Sequence, residues 1–107
     1  MSGEQLLVVV VADDLRDRIV DTLIGLDDIS GFTLSDVEGY SREHQGLSLR
    51  EQVAGHRGMA RFEVIHEPAQ QGALVDALAA ACGTAEVRYW LMPLAAAGRL
   101  RASDHGS

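Results

Sequence analysis

The amino-acid sequence predicts a small α+β domain in which strands and helices follow one another as β-α-β-β-α-β. Three observations support this prediction. Four apolar segments have the length of strands, two further segments carry apolar residues at helical spacing, and a polar stretch separates the second strand from the third. The order is that of the ferredoxin-like sandwich, with two helices and a four-stranded sheet.

The first half of the chain supplies a strand, a helix and a second strand. Residues 6–11 form a continuous, valine-rich apolar run, which is typical of a strand buried on both faces. Residues 14–26 place apolar side chains three and four positions apart, as in an amphipathic helix, with Asp13 and Asp14 as its predicted N-cap. The second strand is expected over residues 31–40.

The second half begins with a long polar loop, residues 40–57, within which a short helical turn over residues 49–53 is an open alternative. The third strand is expected over residues 59–66, the second helix over residues 69–82, and the fourth strand over residues 86–92. Gly83 is the predicted helix stop and Pro93 the predicted strand stop. The side of the second helix expected to be buried comprises Leu74, Val75, Leu78 and Cys82.

The first strand predicts that the chain associates with other copies of itself. Two helices cover only one face of a four-stranded sheet, yet this strand is apolar on both faces, and soluble monomers rarely expose such a patch. Burying one large apolar side chain is worth about 1.5–3 kcal/mol, so an oligomer with facing sheets is expected. Tyr89 and Trp90 should point to opposite faces, one into the core and the other towards a subunit contact or a ligand.

Length and cysteine usage limit the class of protein. The 107 residues predict one domain over residues 1–101, followed by a flexible C-terminal tail over residues 102–107. The longest aliphatic run is far shorter than the roughly 20 residues of a membrane-spanning helix, and no signal peptide is recognisable, so direct membrane insertion is not expected. The single cysteine, Cys82, favours a reducing, cytoplasmic location.

The charged residues are distributed unevenly along the chain. The formal net charge is −7, yet residues 40–61 hold four arginines and two acids, a local charge of +2. The long loop is therefore a basic region of an acidic chain, which favours anionic ligands there. Because the field of the whole chain repels phosphate backbones, nucleic acid is not expected as a partner.

No residue pattern indicates catalysis. Ser41 and Ser48 lack the G-x-S-x-G context of a nucleophile, and neither an H-E-x-x-H nor a Walker motif occurs. The chain has no lysine, which excludes Schiff-base chemistry on this chain. We therefore expect a protein that is not an enzyme.

Two residues near the C-terminus predict an anion site. Arg99 and Arg101 are separated by one residue, and each guanidinium can hold a phosphate or carboxylate through two hydrogen bonds. A solvated charged tail is the simpler interpretation. Metal binding is a second possibility, through the loop histidines His44 and His56, although their twelve-residue spacing matches no compact zinc motif.

The motif residues together resemble the PII signalling superfamily over roughly residues 5–101. The segment Gly39-Tyr40-Ser41-Arg42-Glu43 stands where that superfamily has its Gly-aromatic-Gly-Arg-Gln pattern, and Arg99-Leu100-Arg101 stands where it has Arg-Ile-Arg. Further segments resemble a PII-like subfamily often encoded beside heavy-metal efflux systems; they are residues 31–33, 47–53 and 89–93.

The resemblance implies a homotrimer that binds an adenine nucleotide in each intersubunit cleft. Its long loop would report the ligand state to a membrane transporter or another protein target. In this chain Arg99 and Arg101 would bind phosphates, Arg88 would stand where the family has a lysine, and Gly39 and Arg42 would line the base of the loop.

One departure from the PII pattern changes the expected ligand. The family's glycine-rich phosphate loop is replaced by Gly83-Thr84-Ala85-Glu86-Val87, in which Glu86 would repel a phosphate. AMP or ADP is therefore expected rather than a triphosphate, and bicarbonate stays open as a smaller anionic ligand. The alternative function is a metal-binding, metal-tolerance protein associated with heavy-metal efflux, using His44 and His56.

Overall fold

The computed structural model describes residues 3–40 and 57–102, and within that part of the chain the predicted order of strands and helices is confirmed. The predicted loop at residues 40–57, with its helical turn, lies outside the described residues except at its two ends. The strands are β1 (Gln5–Ala12), β2 (Thr33–Gly39), β3 (Arg57–His66) and β4 (Arg88–Pro93), and the helices are α1 (Arg16–Ile24) and α2 (Gln71–Cys82).

The four strands form one antiparallel sheet in the order β2-β3-β1-β4. The valine-rich β1 lies in the interior of the sheet, so its backbone is paired on both sides. Val9 is opposite Phe62 of β3 and Tyr89 of β4. This small α+β fold, with two helices and a four-stranded antiparallel sheet, is consistent with a ferredoxin-like sandwich.

The two helices cover one face of the sheet, and the core lies between this face and the helices. Because side chains alternate along a strand, the odd-numbered apolar residues of β1 and the even-numbered residues of β3 point to the helices. Phe62 is fully buried and its ring centroid lies 6.0 Å from that of Phe32. The fully packed part of this core comprises Leu7, Val9, Val11, Ile19, Leu23, Ala60, Phe62, Val64, Leu74 and Leu78.

The start of the first helix differs from the prediction. Neither Asp13 nor Asp14 caps it: both lie inside a 3-10 turn (Asp13–Leu15) whose N-cap is Ala12, and no side-chain cap bond forms. The reason is that β1 runs directly into this turn, which leaves no residue between strand and helix to act as a side-chain cap. The Asp13 carboxylate instead lies against Gly58. A Cβ atom added to this glycine would lie only 2.6 Å from Oδ2 of Asp13.

The second helix begins and ends with strong local signals. A 3-10 turn (Pro68–Gln70) precedes it, with a capping box in which the Glu67 backbone nitrogen donates to Gln70 Oε1 over 2.9 Å. Gly83 follows the helix with φ 63°, a conformation that favours glycine, so the predicted stop is confirmed. The predicted buried side is also confirmed, because Leu74, Leu78 and Cys82 are buried and Val75 is partly buried.

The other face of the sheet, which we call the open face, carries apolar side chains that the helices do not cover. Val8 is nevertheless fully buried, between its cross-strand neighbours Glu63 and Trp90. Arg61 and Glu63 form an ion pair of 3.0 Å on this face. The half-exposed apolar residues here are Ile65, Trp90 and Met92.

The two aromatic residues of β4 do not divide as predicted. Tyr89 faces the helix side and Trp90 the open face, in agreement with the alternation, but Tyr89 is 50% and Trp90 40% exposed, so neither is a core residue. The physical reason is that β4 is an edge strand, where each side chain has neighbours on only one side.

Candidate functional site

The predicted anion-binding arginines lie in the segment that follows β4. The backbone nitrogen of Leu94 donates to the carbonyl of Glu4 over 2.9 Å, which extends the sheet contact by one residue. Residues 96–101 then form neither helix nor turn. Arg99 and Arg101 are both exposed, so an anion can approach their guanidinium groups from solvent.

The remaining described site residues, Gly39 and Arg88, lie at opposite edges of the sheet. Gly39 ends β2, whereas Arg88 begins β4, and β3 and β1 lie between them. Three strand spacings separate β2 from β4, which amounts to about 14 Å. A single chain therefore does not bring these two residues together.

Three predicted site residues, Arg42, His44 and His56, lie outside the described residues. Within residues 3–40 and 57–102 no group of three or more His, Cys, Asp or Glu side chains could hold a metal ion. The same part of the chain contains no helix that is long and apolar enough to cross a membrane.

A pocket of about 220 Å³ lies between the C-terminal half of α2 and the start of β4, and we call it the α2–β4 pocket. Aliphatic side chains dominate its wall, and the half-exposed ring of Tyr89 is part of that wall. Among the residues that the structure describes, no charged side chain lines it, so the pocket suits an apolar group rather than a phosphate. Its lining includes Leu7, Val9, Leu78, Cys82, Ala85 and Tyr89.

Cys82 contributes the one thiol of the chain to this pocket. Burial raises the pKa of the thiol, and the positive charge of Arg18 offsets part of that rise. Arg18 is held close by a hydrogen bond of 3.3 Å from its guanidinium to the carbonyl of Ala81. The raised pKa favours the protonated thiol, which is the less nucleophilic form.

The α2–β4 pocket was not predicted from the sequence. Its walls come from α2, the turn after it and β4, together with β1 from the other end of the chain, so no local motif marks it. The one available signal is a run of small residues around the end of α2, including Ala79, Gly83 and Ala85. Small side chains opposite a large ring such as Tyr89 leave space when the elements pack.

Comparisons with known proteins agree with this α+β architecture and extend to the sequence. One similar solved structure is the crystal structure of a DUF3240 family protein from Shewanella baltica OS155. The match covers 94% of this chain and 100% of that chain, with 44% sequence identity and a TM-score of 0.79. The family model "Protein of unknown function (DUF3240)" matches residues 1–101. The chain therefore belongs to the DUF3240 family. A comparison with curated proteins found no match.

Proposed function

We propose that this protein is a non-enzymatic, PII-like signalling protein. It assembles as a homotrimer and binds AMP or ADP in the clefts between subunits, with bicarbonate as a further candidate ligand. Through the loop at residues 40–57 it regulates a partner protein such as a membrane transporter. This proposal also takes the α+β fold to be the PII-like version of the ferredoxin-like sandwich.

The observation that carries the proposal is the exposed pair Arg99 and Arg101 in the segment after β4. Two guanidinium groups one residue apart form a local cationic site in a chain of net charge −7. Such a pair suits a phosphate, because each planar fork can form two charge-assisted hydrogen bonds.

The separation of Gly39 from Arg88 supports a site between chains. In one chain these residues lie at opposite edges of the sheet, so a site that includes both needs a second chain. The open face supports association as well, because Ile65, Trp90 and Met92 leave apolar surface exposed there. Facing sheets would bury that surface and place the edge strands of neighbouring chains side by side.

The turn between α2 and β4 supports a ligand with few phosphates. Glu86 is exposed in this turn, and its carboxylate would repel a phosphate placed against the turn's backbone. The arginines of the C-terminal segment must therefore supply most of the favourable charge. A mono- or diphosphate, or bicarbonate, needs fewer such contacts than a triphosphate.

Calorimetric titration with AMP, ADP, ATP and bicarbonate tests the proposal. Loss of one charge-assisted contact costs about 1.5–3 kcal/mol, so Arg101→Ala should weaken AMP or ADP binding roughly tenfold or more. Arg16→Ala is the matched control, because it removes the same charge from an exposed ion pair of 3.0 Å between Arg16 of α1 and Asp36 of β2. The control should leave the affinity nearly unchanged.

Two results would overturn the proposal. Equal binding by the wild type and the double variant Arg99→Ala/Arg101→Ala would remove these arginines from the ligand site. If zinc or copper bound while AMP, ADP and bicarbonate did not, the metal-binding alternative through His44 and His56 would replace it.

A further inference from the structure

The open face of the sheet consists of two halves that carry different charged residues. We call the part formed by β2 and β3 the β3 half, and the part formed by β1 and β4 the β4 half. Among the described strand residues that point to this face, Glu63 in the β3 half is the single acid. Its Oε2 accepts a hydrogen bond of 3.0 Å from Nη2 of Arg61. In the β4 half, Arg88 is the single charged residue of the described strands.

Glu63 and Arg88 do not meet within one chain. Glu63 is opposite Val8, whereas Arg88 is opposite Val10, so the two residues are separated by β1 and by two positions along it. These offsets amount to about 10 Å across the strands and about 7 Å along them. Among residues 3–40 and 57–102, Arg88 has no hydrogen-bond or ion-pair partner, and Oε1 of Glu63 accepts no hydrogen bond.

Exposed apolar side chains lie beside both charged residues on the same face. Ile65 follows Glu63 two positions later on β3, and Trp90 follows Arg88 two positions later on β4, with Met92 beyond it. Ile65, Trp90 and Met92 are 43%, 40% and 38% exposed. An exposed arginine by itself is ordinary for a protein surface, but each half of this face joins apolar area to a charged group with unused hydrogen-bonding capacity, as interfaces do.

A cyclic trimer brings unlike halves of the open face together. In a ring of three chains with facing sheets, each sheet contacts two others, one through each half. Such an interface is heterologous, so the β3 half of one chain meets the β4 half of the next. The acid of the β3 half and the arginine of the β4 half are then on opposite sides of the same contact.

We infer that Glu63 of one chain forms an ion pair with Arg88 of the next chain, between the facing sheets. The inference rests on the trimer of the proposed function, and it adds the polar contact that fixes how the subunits face one another. Burial of Arg88 without a partner would be strongly unfavourable, and Glu63 is the one strand acid on this face that can pair with it. The carboxylate then bonds Arg61 through one oxygen and Arg88 through the other.

The contact leaves Arg88 able to bind an anion as well. A guanidinium group has five N–H donors, of which one carboxylate oxygen accepts only one or two. The remaining donors of Arg88 can contact a phosphate or bicarbonate in the cleft between the chains. The ion pair and the ligand site of the proposed function are therefore compatible.

Cysteine cross-linking tests the contact directly. A disulfide needs Cα atoms less than about 7 Å apart, so cysteines at positions 63 and 88 of the same chain are too distant to form one. In Glu63→Cys/Arg88→Cys, each disulfide must join two chains. Oxidation with diamide removes two electrons and two protons from a thiol pair, forms the disulfide, and reduces diamide to its hydrazine. We expect most chains to appear as covalent dimers and trimers on a non-reducing gel.

The single variants Glu63→Cys and Arg88→Cys are the controls for cross-linking. Both retain the buried Cys82, and each lacks one of the two introduced thiols, so both should remain monomeric on the gel. Their behaviour excludes disulfides between identical positions and disulfides to Cys82.

Charge reversal tests the pairing without covalent chemistry. Arg88→Glu places a carboxylate against Glu63 of the next chain, so the concentration at which half of the trimer dissociates should rise roughly tenfold or more. Analytical ultracentrifugation without nucleotide measures it. In Glu63→Gln/Arg88→Glu, Arg61 can pair with the introduced carboxylate, so most of the association should return. Arg16→Glu makes the same change of charge on α1, away from the open face, and should have no effect.

The outcomes separate this inference from the proposed function. An Arg88→Glu trimer as stable as the wild type would overturn the inference and leave the trimer intact. Failure of Glu63→Gln to rescue Arg88→Glu, or a double-cysteine trimer that does not cross-link, would overturn it as well. If the double-cysteine variant is a monomer by light scattering, the charge-reversal series decides. A monomeric wild type would overturn both the inference and the proposed trimer, whereas calorimetry judges nucleotide binding separately.

Discussion

The two faces of the sheet differ in what covers the side chains of β1. On the helix-covered face, Val9 and Phe62 lie in a core closed by residues of both helices. On the open face, Val8 is equally buried, but its cover consists of strand neighbours, including Glu63 and the half-exposed Trp90. Burial of a residue therefore does not show whether the surface around it is complete.

The difference separates what holds one chain together from what is available to hold several chains together. The core on the helix side is packed by residues of this chain except at the α2–β4 pocket, and it determines the stability of the fold. The open face retains exposed apolar area and an ion pair, Arg61–Glu63, whose side chains are 37% and 36% exposed. Substitutions on the two faces should consequently affect different measurements.

The largest effect is expected on the helix-covered face. Phe62→Ala removes a fully buried ring that packs against Phe32, and it should lower the free energy of unfolding by about 3–5 kcal/mol. Ile65→Ala, in the same strand but 43% exposed on the open face, should cost roughly 1 kcal/mol in a single chain. Urea denaturation measures both, and similar losses would show that the two faces are equally well packed.

A charge on the open face should break association but not the fold. In Ile65→Asp the carboxylate can remain solvated in an isolated chain, yet it would be buried without a partner between facing sheets. Light scattering should show a fall from trimer to monomer, with the circular dichroism spectrum retained. Ile24→Asp, at a 68% exposed position on α1, is the matched control and should leave the mass unchanged. A trimer that survives Ile65→Asp would place the subunit contact elsewhere.

The smallest effect tests whether the ion pair of the open face is covered in solution. An exposed pair contributes about 0.2–1 kcal/mol, whereas removal of one partner from a buried pair costs about 3–5 kcal/mol. In the single chain Glu63→Gln should therefore lower the free energy of unfolding by less than 1 kcal/mol, on the order expected for an exposed pair. A loss of several kcal/mol at high protein concentration that disappears on dilution would indicate that a second chain covers Arg61 and Glu63.

Most of the fold was predictable because its signals are local. The valine-rich run of β1 and the helical spacing in α2 each lie within one stretch of sequence, and both elements appear where they were expected. Gly83 is predictable for a similar reason, since its positive φ is a property of one residue. The candidate site was predictable only as a list of residues, because the distance between Gly39 and Arg88 depends on the order of the strands.

The wrong expectations concern properties that depend on distant neighbours. Asp13 matches the residue preference of an N-cap, but the strand before it runs straight into a 3-10 turn, and the carboxylate packs against Gly58 instead. Tyr89 was a possible core residue, yet it lies on an edge strand and stays half exposed. In both cases the local pattern was identified correctly, and the tertiary arrangement decided the outcome: Asp13 contacts Gly58, and Tyr89 lacks a neighbouring strand on one side.

The sequence by itself determined the order of the elements and which side of α2 is buried, because the period of apolar residues follows from backbone geometry. Only the tertiary structure decided the strand order and the existence of the α2–β4 pocket. Pairing partners and cavities arise when side chains from separate segments pack against one another, and the shape left between Ala85, Cys82 and Tyr89 is encoded in none of their segments alone.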